Sequence, residues 1–280
     1  MLRIDAHQHF WHPARGDYGW MPKDDPVLDL PYGPADLRPL LTASGVARTV
    51  LVQAAPSIAE TQYLLGIADA TPEVGAIVGW IDFERQDDRA QLERLSRHPA
   101  FRGVRPMIQD IPDPDWMLGA GVDWAFKALV EFDLTFDALG FPHHLENFHI
   151  VLGRHPDLRV VIDHCMKPDI AGQTPETFRH WADGMTRLAR ETGAFCKLSG
   201  LVTEAGPGWC AADLRPYADH VLETFGPDRV MWGSDWPVCR LRAEYDDWLA
   251  VAADLAGNLG AADRARIFGE TAAKFYRIEA

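Results

Sequence analysis

Short apolar, β-branched runs alternate along the chain with longer stretches of helical periodicity. The runs fall at 3–10, 48–53, 74–83, 101–108, 134–139, 159–164, 194–199 and 229–235. Helical spacing fills 35–44, 60–70, 86–97, 122–132, 143–154, 175–192 and 213–225, and two more helices close the chain at 243–256 and 261–276. Near-continuous apolar runs are what parallel strands buried on both faces look like. Eight such repeats predict an α/β fold, a (β/α)8 TIM barrel over 1–280 as a single domain with a long loop after the first strand. A doubly wound sheet is the alternative. No G-x-G-x-x-G follows the first strand to support a dinucleotide-binding version of it.

Loop lengths point the same way. Connections from helix to strand are short, as at Gly226-Pro227-Asp228 and His155-Pro156-Asp157. Connections leaving strands are long and carry aromatics, prolines and charges: 11–34, 109–121, 202–212 and 236–242. In a barrel the loops after the strands share one face, where active sites sit. The stretch 11–34, with Tyr18, Trp20 and Tyr32 among its prolines and glycines, reads as an ordered lid or as a packed surface crossing.

Composition narrows the class. With 280 residues, 47% of them hydrophobic, the chain can bury a large core. The net charge of −14, without a basic run or stripe, argues against nucleic acid. Cys165, Cys196, Cys210 and Cys239 form no C-x-x-C pair. No apolar run approaches a membrane span, and no signal peptide is evident, so a cytoplasmic location is the expectation. Oligomeric state stays open, a homo-oligomer included.

The chemistry gathers at strand ends. His7 and His9 sit two apart on the first strand and face one way, with Asp5 behind them. His164 ends the sixth strand, and Asp235 ends the eighth within Gly233-Ser234-Asp235-Trp236-Pro237. Barrel closure brings the eighth strand beside the first. Three imidazoles and a carboxylate suit one divalent transition metal with an open position. The same four residues also suit acid–base chemistry without metal, with Asp235 as base.

These strand ends resemble the amidohydrolase superfamily, and within it the sugar-lactonase branch. RIDAHQHFW, FRGVRPMIQD, VIDHCMKP, CKLSGLVTEA and RVMWGSDWPVC carry the likeness, which runs from the first residues to the last helix. The resemblance implies a barrel hydrolase that opens a lactone ring, with Asp235 activating water and His164 in the catalytic group. Binuclear members carry a carboxylated lysine on strand four and a histidine on strand five. This chain offers Arg102, Arg105 and Gln109 on the first and Asp137 on the second. At most one zinc-like ion is therefore expected, held by His7, His9, His164 and Asp235, and metal independence stays open.

For the small-molecule substrate, Gln53, Arg105, Trp20 and Trp236 are the expected contacts. An amide bonds hydroxyls, a guanidinium polarises a carbonyl, and indoles cover an apolar sugar face. Lys167, three residues after His164, and Lys197, within strand seven, are further candidates to hold the substrate, Lys197 being equally readable as a packing or ion-pair residue. That mixture favours a six-carbon sugar lactone, L-fuconolactone included. The alternatives are a pyrone-dicarboxylate lactonase, which wants more fixed positive charge, and a non-oxidative decarboxylase. No G-x-S-x-G supports a covalent serine route.

Overall fold

Eight parallel strands follow one another around a barrel in sequence order. They are β1 (Ile4–Gln8), β2 (Arg48–Val52), β3 (Val74–Gly79), β4 (Phe101–Val104), β5 (Thr135–Ala138), β6 (Arg159–Ile162), β7 (Phe195–Leu198) and β8 (Val230–Trp232). The structure is a computed structural model that describes residues 2–279. β8 meets β1 at the top of the barrel, where the Asp235 amide donates to the His7 carbonyl (2.8 Å) and the His9 amide to the Trp236 carbonyl (2.7 Å). No helix among the described residues is long and apolar enough to cross a membrane.

The outer layer is α1 (Pro34–Ser44), α2 (Ile58–Ala70), α3 (Arg89–Ser96), α4 (Asp123–Glu131), α5 (Leu145–Arg154), α6 (Pro175–Glu191), α7 (Leu201–Glu204), α8 (Ala211–Phe225), α9 (Tyr245–Leu255), α10 (Ala261–Ala265) and α11 (Thr271–Tyr276). Local chemistry sets their ends. The Ser57 hydroxyl accepts from the Glu60 amide at the start of α2, and Thr174 does the same for Thr177 at the start of α6. Gly45 closes α1 in the left-handed region.

Two apolar layers result. One lies between strands and helices and includes Leu51, Ile77, Phe136, Ile162, Leu198 and Trp232. The other fills the barrel: Ile4, Ala6, Val50, Val52, Ala76, Val78, Val161 and Met231, capped from below by Phe275, Tyr276 and Ile278. Burying each aliphatic side chain of this kind contributes ~1.5–3 kcal/mol.

Three departures from the sequence pattern matter. Several strands stop earlier than their apolar runs. β3 ends at Gly79 and β4 at Val104, before Pro106, which has no amide to give a ladder. The run 261–276 is helical throughout, as expected, but its middle turn over Arg266–Glu270 is π, between α10 and α11, where Gly269 lies against the Leu2 carbonyl. In β1 the register shifts between Asp5 and Gln8. Simple alternation therefore fails there. Asp5 does not line up behind the histidines; its carboxylate accepts from the Ser234 amide (2.8 Å) and from the Tyr245 hydroxyl of α9 (3.2 Å).

Candidate active site

Four strand ends converge at the top of the barrel. The Nε2 atoms of His7 and His9 lie 3.1 Å apart. Asp235 Oδ1 is 3.4 Å from His9 Nε2, 3.7 Å from His7 Nε2 and 3.8 Å from His164 Nε2. All four side chains are buried. Glycines make this closeness feasible. A Cβ on Gly233 would lie 2.7 Å from the His7 Cβ, and one on Gly200 would lie 2.8 Å from the His164 ring. Gly200 also has φ +68°, a conformation few side chains tolerate.

Backbone strain delivers two of the four groups. His164, Cys165, Met166 and Lys167 all have positive φ, a left-handed turn of non-glycine residues, and Asp235 has φ 56°. Such residues cost about 1 kcal/mol or more each and persist where surroundings hold them. Here the Trp181 indole donates to the Cys165 carbonyl (2.7 Å), and the Ser199 hydroxyl pairs with His164 Nδ1 (2.9 Å).

Burial pushes the imidazoles of His7, His9 and His164 below the ordinary histidine range, His164 to about 4, so all three are neutral near pH 7. Burial alone would raise the Asp235 carboxyl. The surrounding His164, His9 and His7 outweigh it and hold that carboxyl below its usual range. The centre is thus one carboxylate among neutral imidazoles.

Beneath His7 lies a second polar group inside the barrel. Lys197 Nζ is 2.6 Å from Asp137 Oδ2, 3.0 Å from Asp163 Oδ1 and 3.1 Å from His7 Nδ1. The Tyr276 hydroxyl donates to the same Asp137 oxygen (2.6 Å). Burial acts to raise both carboxyls. The ammonium prevails at Asp163, which lies well below its ordinary range, whereas Asp137 stays raised. The sequence offered one signal for this group, a lysine inside the apolar run of β7.

Above the centre is a cavity of about 200 Å³. That is smaller than the roughly 300–1,000 Å³ of drug-sized pockets and suits a single ring. His9, His164, Asp235 and Arg105 meet Trp11, Trp20, Leu28, Met107, Gln109, Leu139 and Lys167 in its wall. The loop 11–34 is ordered over it. The Trp11 indole donates to the Leu28 and Leu30 carbonyls, and the Trp20 indole to the Ala54 carbonyl (2.6 Å).

Two sequence candidates fall outside that wall. Gln53 is fully buried, its amide donating to the Arg105 carbonyl (2.7 Å). Trp236 packs edge-on against Phe10 and Tyr32 in the core. Their places at the cavity are taken by Gln109 and Trp11, and a second cation joins: Lys167 Nζ donates to Gln109 Oε1 (2.6 Å). The left-handed turn after β6 swings Lys167 into the mouth, and apolar periodicity carries no signal for such a turn. Arg105 lines the cavity as expected, but it is heavily engaged, with the Gln53 carbonyl and with Asp163 Oδ2 (3.4 Å).

The donor set fits a metal ion. Tetrahedral ligands at about 2.0–2.2 Å from zinc lie about 3.3–3.6 Å from one another. The spacings among His7, His9 and Asp235 bracket that value. His9 Nδ1 bonds the Val52 carbonyl (2.8 Å), which turns its Nε2 lone pair inward. A second cluster, His7 with Asp163 and His164, already has the Lys197 ammonium against two of its members.

The amidohydrolase family model matches residues 4–278. An L-fucono-1,5-lactonase of Burkholderia ambifaria is 45% identical over 99% of this chain and 96% of the relative. Another, from Burkholderia multivorans, is 37% identical over 99% and 96%. The crystal structure of a Burkholderia multivorans amidohydrolase with bound zinc superposes with a TM-score of 0.93 at 36% identity, over the whole of both chains.

Proposed function

The chain belongs to the amidohydrolase family, and from that premise we propose that it hydrolyses a sugar lactone of the L-fuconolactone type to the aldonic acid. The observation that carries the reading is the ionised Asp235 among neutral imidazoles, under a small cavity walled by indoles, aliphatic groups and a lysine–amide pair.

In this reading Asp235 takes a proton from water as the oxygen adds to the lactone carbonyl. Arg105 and His164 stand at the same wall and stabilise the oxyanion; one such donor is typically worth about 3 kcal/mol. The bond from the carbonyl carbon to the ring oxygen then breaks, and Asp235 returns its proton to that oxygen. Trp11 and Trp20 cover the apolar face of the ring, and Lys167 with Gln109 binds hydroxyls. Gln53 and Trp236 act one layer back, by holding Arg105 and the loop 11–34. A single divalent ion at His7, His9 and Asp235, with His164 beside it, would supply Lewis acidity and a more acidic water.

A dicarboxylated pyrone fits less well. Each desolvated carboxylate needs its own fixed charge. Of the two cations in the wall, Arg105 is bound to Asp163 and Lys167 is bonded to Gln109. The test is a pH-indicator screen of six-carbon aldonolactones, unsubstituted lactones and pyrone dicarboxylates, compared by kcat/KM. Aldonolactones lead if the reading is right. A winning pyrone dicarboxylate, or carbon dioxide release from an aromatic acid, overturns it.

A further inference from the structure

The protons between Lys197 and Val52 can be placed one by one. A lysine ammonium has three N–H donors and no acceptor. Lys197 has two hydrogen-bond partners, Asp137 Oδ2 of β5 at 2.6 Å and His7 Nδ1 of β1 at 3.1 Å, and Asp163 Oδ1 after β6 lies 3.0 Å away as an ion-pair partner without a hydrogen bond of its own. Asp137 is itself fixed by Tyr276, which holds the ammonium against His7, and an ammonium can only donate. His7 Nδ1 must then accept, and the proton of the neutral ring lies on Nε2. At the other end, the Val52 carbonyl can only accept, so His9 carries its proton on Nδ1 and a lone pair on Nε2. The 3.1 Å contact between the two Nε2 atoms closes the series as His7 Nε2–H donating to His9 Nε2.

We infer that Lys197 holds His7 in the tautomer whose proton lies between the two histidines, so that a metal ion enters only by expelling it. The inference rests on His7 and His9 being the metal donors proposed above. A ligating imidazole ordinarily has a carboxylate, carbonyl or water behind it, which accepts the outer N–H and leaves the inner lone pair to the metal. His9 has such a partner. His7 has the opposite, an ammonium that occupies the outer lone pair. Lys197 is therefore a positioning residue that weakens the metal site and favours a metal-free hydrogen-bonded pair.

Two contacts favour the rival tautomer. His7 Nδ1 is 3.4 Å from Asp163 Oδ1, and Arg105 Nη1 is 3.4 Å from His7 Nε2. Both are long for a hydrogen bond. The rival also sets an Nδ1–H against the ammonium at 3.1 Å and leaves two bare Nε2 lone pairs facing each other.

The test begins with the metal-stripped wild-type protein carrying 15N-labelled histidine. Long-range 1H–15N correlation spectra should show the bare nitrogen of His7 at Nδ1 and that of His9 at Nε2. A His7 ring protonated at Nδ1 overturns the inference, with no variant needed and whatever the substrate proves to be. The second arm is Lys197→Gln, whose amide oxygen can accept an Nδ1–H. Zn2+ affinity, measured by chelator competition, should tighten about 10–100-fold, and His7 should move to the Nδ1–H form. Unchanged affinity in a folded Lys197→Gln variant also overturns it.

Discussion

Replacing Asp235 with Asn removes the charge and the proton acceptor while keeping the shape. The backbone favours this test. Asp235 sits at φ 56°, where Asn is the non-glycine residue best tolerated together with Asp. Its amide still donates to the His7 carbonyl, and its carbonyl still accepts from the Cys239 amide. The neighbouring imidazoles are neutral, so no buried ion pair is broken. The melting temperature should stay within about 4 °C of wild type, the span of roughly 1 kcal/mol in a chain of this size. Turnover should fall at least about a hundredfold, the lower bound for a lost general base and about 2.7 kcal/mol of barrier. The assay is blank-subtracted acid release from an aldonolactone at saturation, with circular dichroism as the folding control. A folded Asp235→Asn protein within about tenfold of wild-type kcat would refute the role given to Asp235.

Four further outcomes follow from the same contacts. Trp236→Ala should destabilise by about 3–5 kcal/mol, as a buried aromatic does, whereas Trp20→Ala should raise KM with little change in melting temperature; the reverse pattern would put Trp236 at the substrate. Lys167→Met should lower kcat/KM for hydroxylated lactones about 10–100-fold, the loss of a hydrogen bond to a charged group, and should matter least for an unsubstituted lactone. Tyr276→Phe leaves Asp137 one donor short and should cost about 1–3 kcal/mol in urea titration. Burial raises the Glu60 carboxyl to about 7, although the Ala54 and Ala55 amides bond it. A carboxyl raised on folding stabilises fully below about pH 4.5 and loses that contribution as pH climbs through 7, about 3 kcal/mol here. Glu60→Gln should therefore gain stability relative to wild type between pH 5 and pH 8, and a flat difference would contradict the shift.

The barrel was legible because eight apolar runs and their helices each reported burial, and burial has a period. The strand-end residues were legible for the same reason: once the strands are ordered, His7, His9, His164 and Asp235 must share one mouth. What lay hidden depends on backbone geometry without a period. The register shift in β1 turned Asp5 away from the histidines. The left-handed turn from His164 to Lys167 put a lysine into the cavity that no alternation rule places there. Gln53 and Trp236 stand at strand ends as expected, yet both side chains are consumed by holding neighbours in place. The sugar-lactonase likeness, carried by GSDWP and KLSGL, agrees with the relatives at 45% and 37% identity.

Tyr276 also sets a clock. It reaches the floor of the barrel from near the C-terminus and bonds Asp137, which bonds the lysine beneath His7. About 270 positions of the chain separate His7 from that support. At about 5–20 residues per second, on the order of 15–60 seconds separate the two on the ribosome. A nascent chain carries its histidine pair through that interval without the network that fixes the rings. Until α11 is made, the chain lacks both the Tyr276 contact to Asp137 and the side chains that close the barrel floor.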